Sequence, residues 1–377
     1  MRRGEKLLIA GVHTRPAVAS ARRSGYRVST AEHFGDCDTR LMAEEHLSIV
    51  RQRPYRSCGR VAELYSGEKL VELLKRLEGE RIILTSPLPF RDRKLAGMSG
   101  FRMIELSSKR RQIEVLRRRD VEVPESRVVR SREEAAAVAE EMGYPLVLKP
   151  STGAGGAGVV LLRKPEDIPP VRGEHIIQRY IPGRVVSVSL LAKGDECIPV
   201  SVTQNLHSIA GSGRFGYAGN IAPHACSEKA LDMAAEVVCT FRLRGWCGVD
   251  LVEGSGRYHF LELNPRFQGS LDAVEGAYGI NIVEAHIAAT EGEIPERMPE
   301  PERVCARLTL FAPRRLLLRS CLLGVCRDVP VRNAVIERGE PLATLVASGR
   351  SRAEVMKKLG WLRRLVMRGT YPVPQNF

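Results

Sequence analysis

Short apolar runs alternate with amphipathic stretches over the first hundred residues. "KLLIAGV" is apolar, a helical stretch follows over 17–24, and Gly25 ends it before the next apolar run. A further helix is predicted over 68–76, and "RIILTS" predicts another strand. Strands that alternate with helices are typical of a doubly wound parallel sheet. We therefore predict an N-terminal α/β domain over residues 1–105.

The hydrophobic pattern changes character after residue 106. Ser107 or Ser108 can cap a helix, and "SREEAAAVAEEMG" predicts a second helix with Ser131 as N-cap and Gly143 at its end. "YPLVLKP" and "GVVLLR" predict two short strands on either side of a glycine-rich loop. "HIIQRYIPG" predicts a further strand that leads into a hairpin. Residues 106–190 are predicted to form one small lobe.

Longer elements are predicted in the remaining sequence. A helix from 228 to about 243 precedes "GWCGVDLVEGSGRYHFLELNP", which predicts two strands joined by a Gly-Ser-Gly turn. The glycine-rich, polar stretch 205–223 predicts a mobile loop. The proline-rich "EIPERMPEPER" predicts a linker. These patterns predict a large lobe over 191–300 and a smaller basic unit over 301–377.

Charge is distributed unevenly along the chain, whose formal net charge is +14. Residues 1–120 hold 26 Lys+Arg against 15 Asp+Glu, residues 121–300 hold 17 against 24, and residues 301–377 hold 15 against 5. The basic ends are compatible with a surface that binds RNA or another anion. The acidic middle of the chain and the lack of aromatic residues among the basic runs argue against nucleic acid. The sequence contains no run of 18 apolar residues, so no membrane span is predicted. Nine cysteines without a Cys-x-x-Cys pair predict a reduced, cytoplasmic protein.

The glycine-rich loop is the first candidate site. "KPSTGAGGAGV" puts Lys149 at the end of a strand, ahead of Gly153, Gly155, Gly156 and Gly158. Glycines let backbone amides converge on an anion, and the lysine adds a positive charge. The loop is not a P-loop, because no Gly-Lys-Ser/Thr follows the glycines. A flexible hairpin turn is the alternative to a phosphate site.

Oxygen-bearing side chains form the second candidate site. Glu262 and Asn264 lie two residues apart and share one face of a predicted strand, and Asp250 lies on the partner strand. Such oxygens are ligands that Mg²⁺ prefers. A solvated strand is the alternative, but the flanking residues are apolar. Lys109 is a second candidate for a phosphate, with a surface lysine as its alternative.

The order of these motifs resembles the ATP-grasp superfamily. "SSKRRQIEVLRRRDVEVPES", "YPLVLKPSTGAGGAGV", "HIIQRYIPG", "GVDLV" and "LELNPRFQG" carry the resemblance, which is greatest to predicted archaeal ATP-dependent carboligases. It implies an α/β protein, α+β in the nucleotide part. The expected architecture is a doubly wound pre-ATP-grasp domain, a two-lobed ATP-binding core and a small C-terminal unit.

The resemblance also implies roles for individual residues. Lys109, Lys149 and the glycines at 153, 155, 156 and 158 would bind the phosphates of ATP. The adenine edge would meet the backbone of Gln178, Arg179, Tyr180 and Ile181. Magnesium, with Mn²⁺ as an alternative, would be held by Asp250, Glu262 and Asn264. The catalytic set would be Arg266, Lys149 and Asn264. No acid follows Gly183 to hold the ribose, which leaves the choice of nucleotide open.

The expected function is ATP- and Mg²⁺-dependent ligation of a small-molecule carboxylate to an amine through an acyl phosphate. A kinase of the same superfamily and an RNA- or anion-binding protein are the alternatives. No membrane partner is expected, and a homodimer is compatible with the sequence. His207, Arg214 and Tyr217 on the predicted loop are candidate substrate contacts, with solvated loop residues as an equal alternative. Arg15 is a candidate for a substrate carboxylate, although a surface arginine is the favoured interpretation.

Overall fold

A computed structural model describes residues 4–89, 106–153, 155–207 and 216–374 of the chain. Its N-terminal domain contains four strands, β1 (Lys6–Gly11), β2 (Arg27–Glu32), β3 (Glu45–Ser48) and β4 (Arg81–Leu84), and the helices α1 (Arg15–Arg23), α2 (Cys37–Met42), α3 (Val61–Leu64) and α4 (Gly67–Leu74). The strands form a parallel sheet in the order β3-β2-β1-β4.

Helices cover both faces of this parallel sheet. Leu7 and Ile9 pack in one cluster with residues of α1, whereas Leu8 and Ala10 pack in another with residues of α4. Successive strand residues point to opposite faces, so a strand covered on both sides is apolar throughout. This explains the continuous apolar run of β1 and confirms the doubly wound N-terminal domain.

A small lobe follows. It contains α5 (Lys109–Leu116), β5 (Ser126–Val129), α6 (Arg132–Met142), β6 (Leu146–Pro150), β7 (Val160–Leu162), a 3₁₀ turn (Pro165–Asp167) and β8 (His175–Arg179). The sheet is antiparallel in the order β5-β8-β6-β7. Both predicted caps are confirmed, because the side chains of Ser108 and Ser131 accept hydrogen bonds from the N–H groups of Arg111 and Glu134.

The large lobe contains a seven-stranded antiparallel sheet. Its strands are β9 (Arg184–Lys193), β10 (Cys197–His207), β11 (Tyr217–Ala222), β12 (Arg244–Gly254), β13 (Arg257–Asn264), β14 (Val304–Phe311) and β17 (Pro341–Gly349), in the order β13-β12-β9-β10-β11-β14-β17. Its helices are α7 (Glu228–Thr240), α8 (Leu271–Tyr278) and α9 (Ile282–Glu291). A three-stranded sheet of β15 (Leu316–Leu318), β16 (Val335–Ile336) and β18 (Thr370–Pro372) and the helix α10 (Arg352–Arg368) complete the described fold. Among the described residues, no helix is long and apolar enough to cross a bilayer.

Two boundaries differ from those expected from the sequence. The boundary expected at residue 190 lies inside β9, so the small lobe ends near the end of β8. The expected C-terminal unit is not separate from the large lobe, because β14 and β17 extend the same sheet. The proline-rich segment between α9 and β14 therefore connects two parts of one lobe.

The predicted loop over 205–223 is shorter than expected. Strand β10 continues to His207 and β11 begins at Tyr217. Gly219 suggested flexibility, but a Cβ at this position would lie 1.9 Å from the carbonyl oxygen of Arg307 on β14. The glycine is needed for close strand packing, a requirement that a single sequence does not reveal.

Candidate functional site

A cleft of about 1280 Å³ lies among the small lobe, the large lobe and the N-terminal domain. It is lined by the glycine-rich loop and by β12 and β13. It is also lined by the segments that follow β1, β2 and β4 and by residues of β14 and β17. Large concave pockets with converging polar groups are the usual location of active sites. The predicted site residues that line it are Lys109, Lys149, Gly153, Gly155, Gly156, Gln178, Arg179, Tyr180, Ile181, Asp250, Glu262, Asn264 and Arg266.

Lys109 and Lys149 are both buried where the small and large lobes meet. The Nζ atom of Lys109 lies 3.0 Å from the carbonyl oxygen of Gly153 and 3.2 Å from Oε1 of Glu262. The Nζ atom of Lys149 donates to Oε1 of Gln178 at 2.9 Å and to the carbonyl oxygen of Leu261 at 3.2 Å. Burial lowers the pKa of Lys149 to about 8. Lys109 is therefore not an ordinary surface lysine, and both ammonium groups reach the neighbourhood of Glu262.

The three predicted metal ligands lie together. Asp250 is directly opposite Glu262 in the pairing of β12 with β13, and Asn264 Nδ2 donates to Asp250 Oδ2 at 2.9 Å. Arg266 continues the group, because its Nη2 donates to Asn264 Oδ1 at 2.9 Å. Burial and the nearby carboxylate of Glu262 raise the pKa of Asp250 to about 6. The pairing register of β12 and β13 therefore brings Asp250 together with Glu262 and Asn264, as expected from their spacing in the sequence.

This donor set suits a hard divalent cation. Two neighbouring carboxylates repel each other, and a cation between them would relieve that repulsion. The described residues contain no group of three or more His, Cys, Asp and Glu side chains placed to hold a metal. A magnesium ion would therefore depend on Asp250, Glu262 and the amide oxygen of Asn264, with phosphate oxygens and water as further ligands.

The glycine-rich loop joins β6 to β7 and adopts conformations that favour glycine. Gly153, Gly155, Gly156 and Gly158 all have positive φ angles, from 69° to 125°. At Gly155 an added Cβ would contact nothing within 4 Å, so backbone conformation rather than close packing explains this residue. The carbonyl oxygen of Gly155 accepts from the N–H of Tyr217 at 3.2 Å. The loop thus touches β11 of the large lobe across the cleft.

Residues 178–181, which we call the hinge, combine backbone and side-chain roles. The N–H groups of Arg179 and Tyr180 donate to the carbonyl oxygens of Glu125 and Pro145. The buried Gln178 side chain supports Lys149, and its Nε2 donates to Ser126 at 2.9 Å. The side chain of Arg179 pairs with Glu125 at 2.9 Å. Beside the hinge, the apolar residues Val147, Ile181, Val185, Val252 and Leu261 line the cleft. These apolar side chains suit a flat ring such as a nucleobase.

Four residues beyond Arg266 line the cleft and were not predicted from the sequence. Gln268 Nε2 and Asn220 Oδ1 are buried polar atoms without a hydrogen-bond partner among the described residues. Arg307 forms ion pairs with Asp272 and Asp328, each at 3.5 Å. Buried polar atoms are normally paired, so the unpaired atoms of Gln268 and Asn220 along one cleft indicate a polar ligand. Gln268 alone could have been noticed, because it follows the conspicuous "LNPRF". Arg307 lies more than forty residues away on β14, and no local pattern marks it.

Gln112 was also not predicted from the sequence. It is buried on α5, and its Nε2 donates to the carbonyl oxygen of Leu263 while its Oε1 accepts from the N–H of the same residue, each at 2.9 Å. This pair of bonds holds β13 between the two candidate ligand positions 262 and 264. Gln112 therefore positions the candidate metal ligands by holding the strand between them.

Arg15 does not face the cleft as a free substrate contact. Its guanidinium binds both carboxylate oxygens of Asp272, and its Nε donates to Asp328 Oδ1 at 2.9 Å. These buried ion pairs join α1 to α8 and to the segment after β15. Arg15 is thus a structural residue, and the expectation that it binds a substrate carboxylate is wrong.

The three candidate substrate contacts on the predicted loop differ in where they lie in the structure. Tyr217 is half-buried and accepts a hydrogen bond from Asn220 Nδ2 at 2.9 Å. Gly269 allows its close approach, since a Cβ there would lie 2.7 Å from the Tyr217 hydroxyl. His207 is the last residue of β10, and Arg214 lies outside the described residues.

Part of the chain matches a known protein family, and most of it matches a relative from another organism. Residues 106–270 match the family model described as the ATP-grasp domain. The chain is 27% identical over 356 residues to an uncharacterized protein of Methanocaldococcus jannaschii, covering 91% of this chain and 88% of that one.

Solved structures share the fold at low sequence identity. N5-carboxyaminoimidazole synthase from Aspergillus clavatus, in complex with ADP and 5-aminoimidazole ribonucleotide, has a TM-score of 0.74 at 16% identity, covering 97% of this chain and 100% of that one. L-amino acid ligase from Bacillus licheniformis has a TM-score of 0.71 at 16% identity and covers 100% of both chains. These similarities extend over the whole described fold, including its N-terminal domain.

Proposed function

We propose that this chain, whose residues 106–270 match the ATP-grasp domain model, is an ATP- and Mg²⁺-dependent ligase. It activates a small-molecule carboxylate as an acyl phosphate and joins it to an amine, releasing ADP and phosphate. One observation carries the proposal. The ammonium groups of two buried lysines and a connected group of Asp250, Glu262, Asn264 and Arg266 line a single cleft. The solved ligases of the same fold support the reaction class.

The lysines and the glycine loop bind the triphosphate. Lys109 and Lys149 supply positive charge at the mouth of the loop, and the loop's N–H groups add hydrogen-bond donors. Asp250, Glu262 and Asn264 would hold the magnesium ion, which would supply positive charge to neutralise the transferred group. The apolar residues around Ile181 receive the base. This arrangement holds the γ-phosphate toward Arg266.

The substrate acid is proposed to bind beyond Arg266. Gln268 Nε2 is a donor without a hydrogen-bond partner among the described residues, and the guanidinium of Arg307, which pairs with Asp272 and Asp328 at 3.5 Å, adds positive charge. Both residues line the cleft there. A carboxylate accepts hydrogen bonds from such donors. Its oxygen would attack the γ-phosphorus, and the bond from that phosphorus to the β–γ bridging oxygen would break as ADP leaves.

The amine completes the reaction. Its nitrogen attacks the acyl carbon, the carbon–oxygen bond to phosphate breaks, and the departing phosphate can take the amine proton. Positive side chains such as Arg266 and Arg307 stabilise the charge that develops on the oxygens during both steps. Contact of Tyr217 with Gly155 and Gly269 helps to shield the acyl phosphate from water. Cytoplasmic location and a homodimeric state remain part of this proposal.

The test is ADP release measured across pairs of candidate acids and amines. Glu262→Gln should lower magnesium-dependent ADP release by about 100-fold or more, since a neutral amide replaces a carboxylate ligand. The matched control is Glu196→Gln, which changes an exposed acid paired with Lys193 and should leave activity unchanged. Wild-type activity in Glu262→Gln would contradict the metal assignment. A phosphorylated product formed without an amide would instead identify a kinase.

A further inference from the structure

The cleft extends into an alcove between the N-terminal domain and the C-terminal part of the chain. We define the alcove by His33, Phe34, Asp36 and Tyr65 on one side and Ile336 and Leu342 on the other. The two sides are held together by hydrogen bonds from main-chain N–H groups. The N–H of Cys58 donates to the carbonyl oxygen of Val335 at 2.9 Å, and the N–H of Val61 donates to Glu340 at 3.1 Å.

The walls of the alcove are largely apolar and aromatic. The ring of His33 packs edge-on against Phe34, with centroids 4.9 Å apart, and lies 6.1 Å from the ring of Tyr65. Ile336 and Leu342 are buried and close the opposite side. Aromatic walls of this kind favour flat apolar groups, because ring faces and edges pack against them.

Two buried polar side chains lie among these walls. His33 is 1% exposed, and its Nδ1 has no hydrogen-bond partner among the described residues. Asp36 is 5% exposed, and its Oδ1 accepts from Gln52 Nε2 at 2.9 Å. Burial lowers the pKa of His33 to about 4. Burial and the neighbouring carboxylates, Glu32 first, raise the pKa of Asp36 well above its usual range. The imidazole of His33 is therefore uncharged near pH 7, and burial favours the neutral form of Asp36.

The cations among the described residues that line the cleft lie at its nucleotide end or where the substrate acid is proposed to bind: Lys109, Lys149, Arg179, Arg266 and Arg307. Of the described residues in 4–89 and 311–374, none that lines the cleft is a lysine or an arginine. This holds although residues 1–120 contain 26 Lys+Arg. A phosphate ester is normally bound by such cations or by converging backbone N–H groups. The described alcove walls therefore favour an uncharged ligand group.

We propose that the alcove selects the nucleophilic substrate and accepts an uncharged, flat, largely apolar group that carries an N–H donor. The donor meets the polar atoms of Asp36 and His33, while Phe34 and Tyr65 pack against the ring. This inference rests on the proposed function, since it assigns the alcove to the substrate that captures the acyl phosphate. The amine to be ligated is then an unphosphorylated molecule, because none of the described residues that form the alcove is a lysine or an arginine.

Three small probes test the chemistry of the alcove directly. Saturation-transfer NMR on the full-length protein, with ADP present, would compare indole, 1-methylindole and phenyl phosphate. Indole is flat and has an N–H, 1-methylindole lacks that donor, and phenyl phosphate is anionic. Indole should bind about 3- to 10-fold more tightly than 1-methylindole, as expected for one hydrogen bond. Phenyl phosphate should give no signal that depends on the alcove.

Matched variants locate the binding. Ala62 is exposed and lines the cleft beside the alcove, so Ala62→Trp should block it and abolish the indole signal. Ala225→Trp, at an exposed position that does not line the cleft, should retain it. Asp36→Leu should remove the preference for indole over 1-methylindole, whereas Asp36→Asn, which keeps a carbonyl oxygen, should retain it.

The outcomes separate this inference from the proposed ligase activity. An indole signal unchanged in Ala62→Trp, or phenyl phosphate binding that Ala62→Trp abolishes, would overturn the alcove assignment while ADP release stayed intact. If no acid and amine pair releases ADP, the ligase proposal fails. The probe experiment can still succeed in that case, because it measures binding without turnover.

Discussion

Replacing Lys149 by methionine should weaken ATP binding and stabilise the free protein at the same time. Lys149 is buried, and its ammonium is held by Gln178 and by the carbonyl oxygen of Leu261. A charge-assisted hydrogen bond to a phosphate is worth about 1.5–3 kcal/mol. The dissociation constant for MgATP at pH 7 should therefore rise by about 10- to 150-fold in Lys149→Met.

The stability effect follows from the cost of burying a charge. Burial lowers the pKa of Lys149 from 10.5 to about 8, which corresponds to about 3 kcal/mol of destabilisation when the group is charged. Methionine has a similar length and removes this cost, but it also removes two hydrogen bonds worth about 1 kcal/mol each. We expect the free energy of unfolding of the ligand-free variant to increase by about 1 kcal/mol.

The lowered pKa of Lys149 also determines how stability and MgATP affinity depend on pH. The depressed value means that the unfolded chain keeps the proton more tightly, so wild-type stability should rise between pH 8 and 10.5. Affinity for MgATP should fall over the same range as the free enzyme loses the ammonium charge. Neither trend should be seen in Lys149→Met, because this variant lacks the ammonium group that titrates.

Calorimetric titration with MgATP and urea denaturation measure the two effects. Lys164→Met is the matched control, because Lys164 is exposed and makes only a distant pair with Glu166 at 3.9 Å. It should change neither quantity. Wild-type ATP affinity in Lys149→Met, or a loss of several kcal/mol of stability, would refute the assignment of Lys149 as a buried phosphate ligand.

Further substitutions test how the fold supports the cleft. Asp272→Asn should lower the free energy of unfolding by about 3 kcal/mol, because it leaves Arg15 buried with only Asp328 as a charged partner. Asp195→Asn, at an exposed pair with Arg242, should have no measurable effect in the same urea titration. Gly183→Ala should cost about 3 kcal/mol, since its Cβ would lie 2.1 Å from the carbonyl oxygen of Glu253. Gly155→Ala meets no atom within 4 Å and should cost about 1 kcal/mol from its positive φ alone.

Local patterns in the sequence predicted much of this structure. The caps at Ser108 and Ser131 depend on neighbouring backbone N–H groups, and the placement of Glu262 and Asn264 depends on the two-residue repeat of a strand. Both signals lie within a few residues of the feature that they specify. For the same reason, the doubly wound domain could be predicted from alternating strands and helices.

Long-range pairing could not be predicted from the same patterns. Strand β14 joins β11 across more than eighty residues of chain, and this pairing brings Arg307 to the cleft. It also explains Gly219, which looked like a flexible loop residue but packs against β14. Arg15 was misread for a related reason. Its partners Asp272 and Asp328 are more than 250 residues away, so an arginine at a strand end looked free.

The net charge of the protein does not account for its anion site. The segment 121–300 is acidic overall, yet it contributes Lys149 and Arg266 as well as all three candidate metal ligands. The basic ends contribute Lys109 and Arg307. All four of these cations are buried or half-buried, where a charge acts through a lower effective dielectric than at the surface. A few buried cations placed beside acids can therefore bind a metal–triphosphate, whereas exposed charges are screened by salt. ATP binding should accordingly depend less on ionic strength than any RNA binding by the basic ends would.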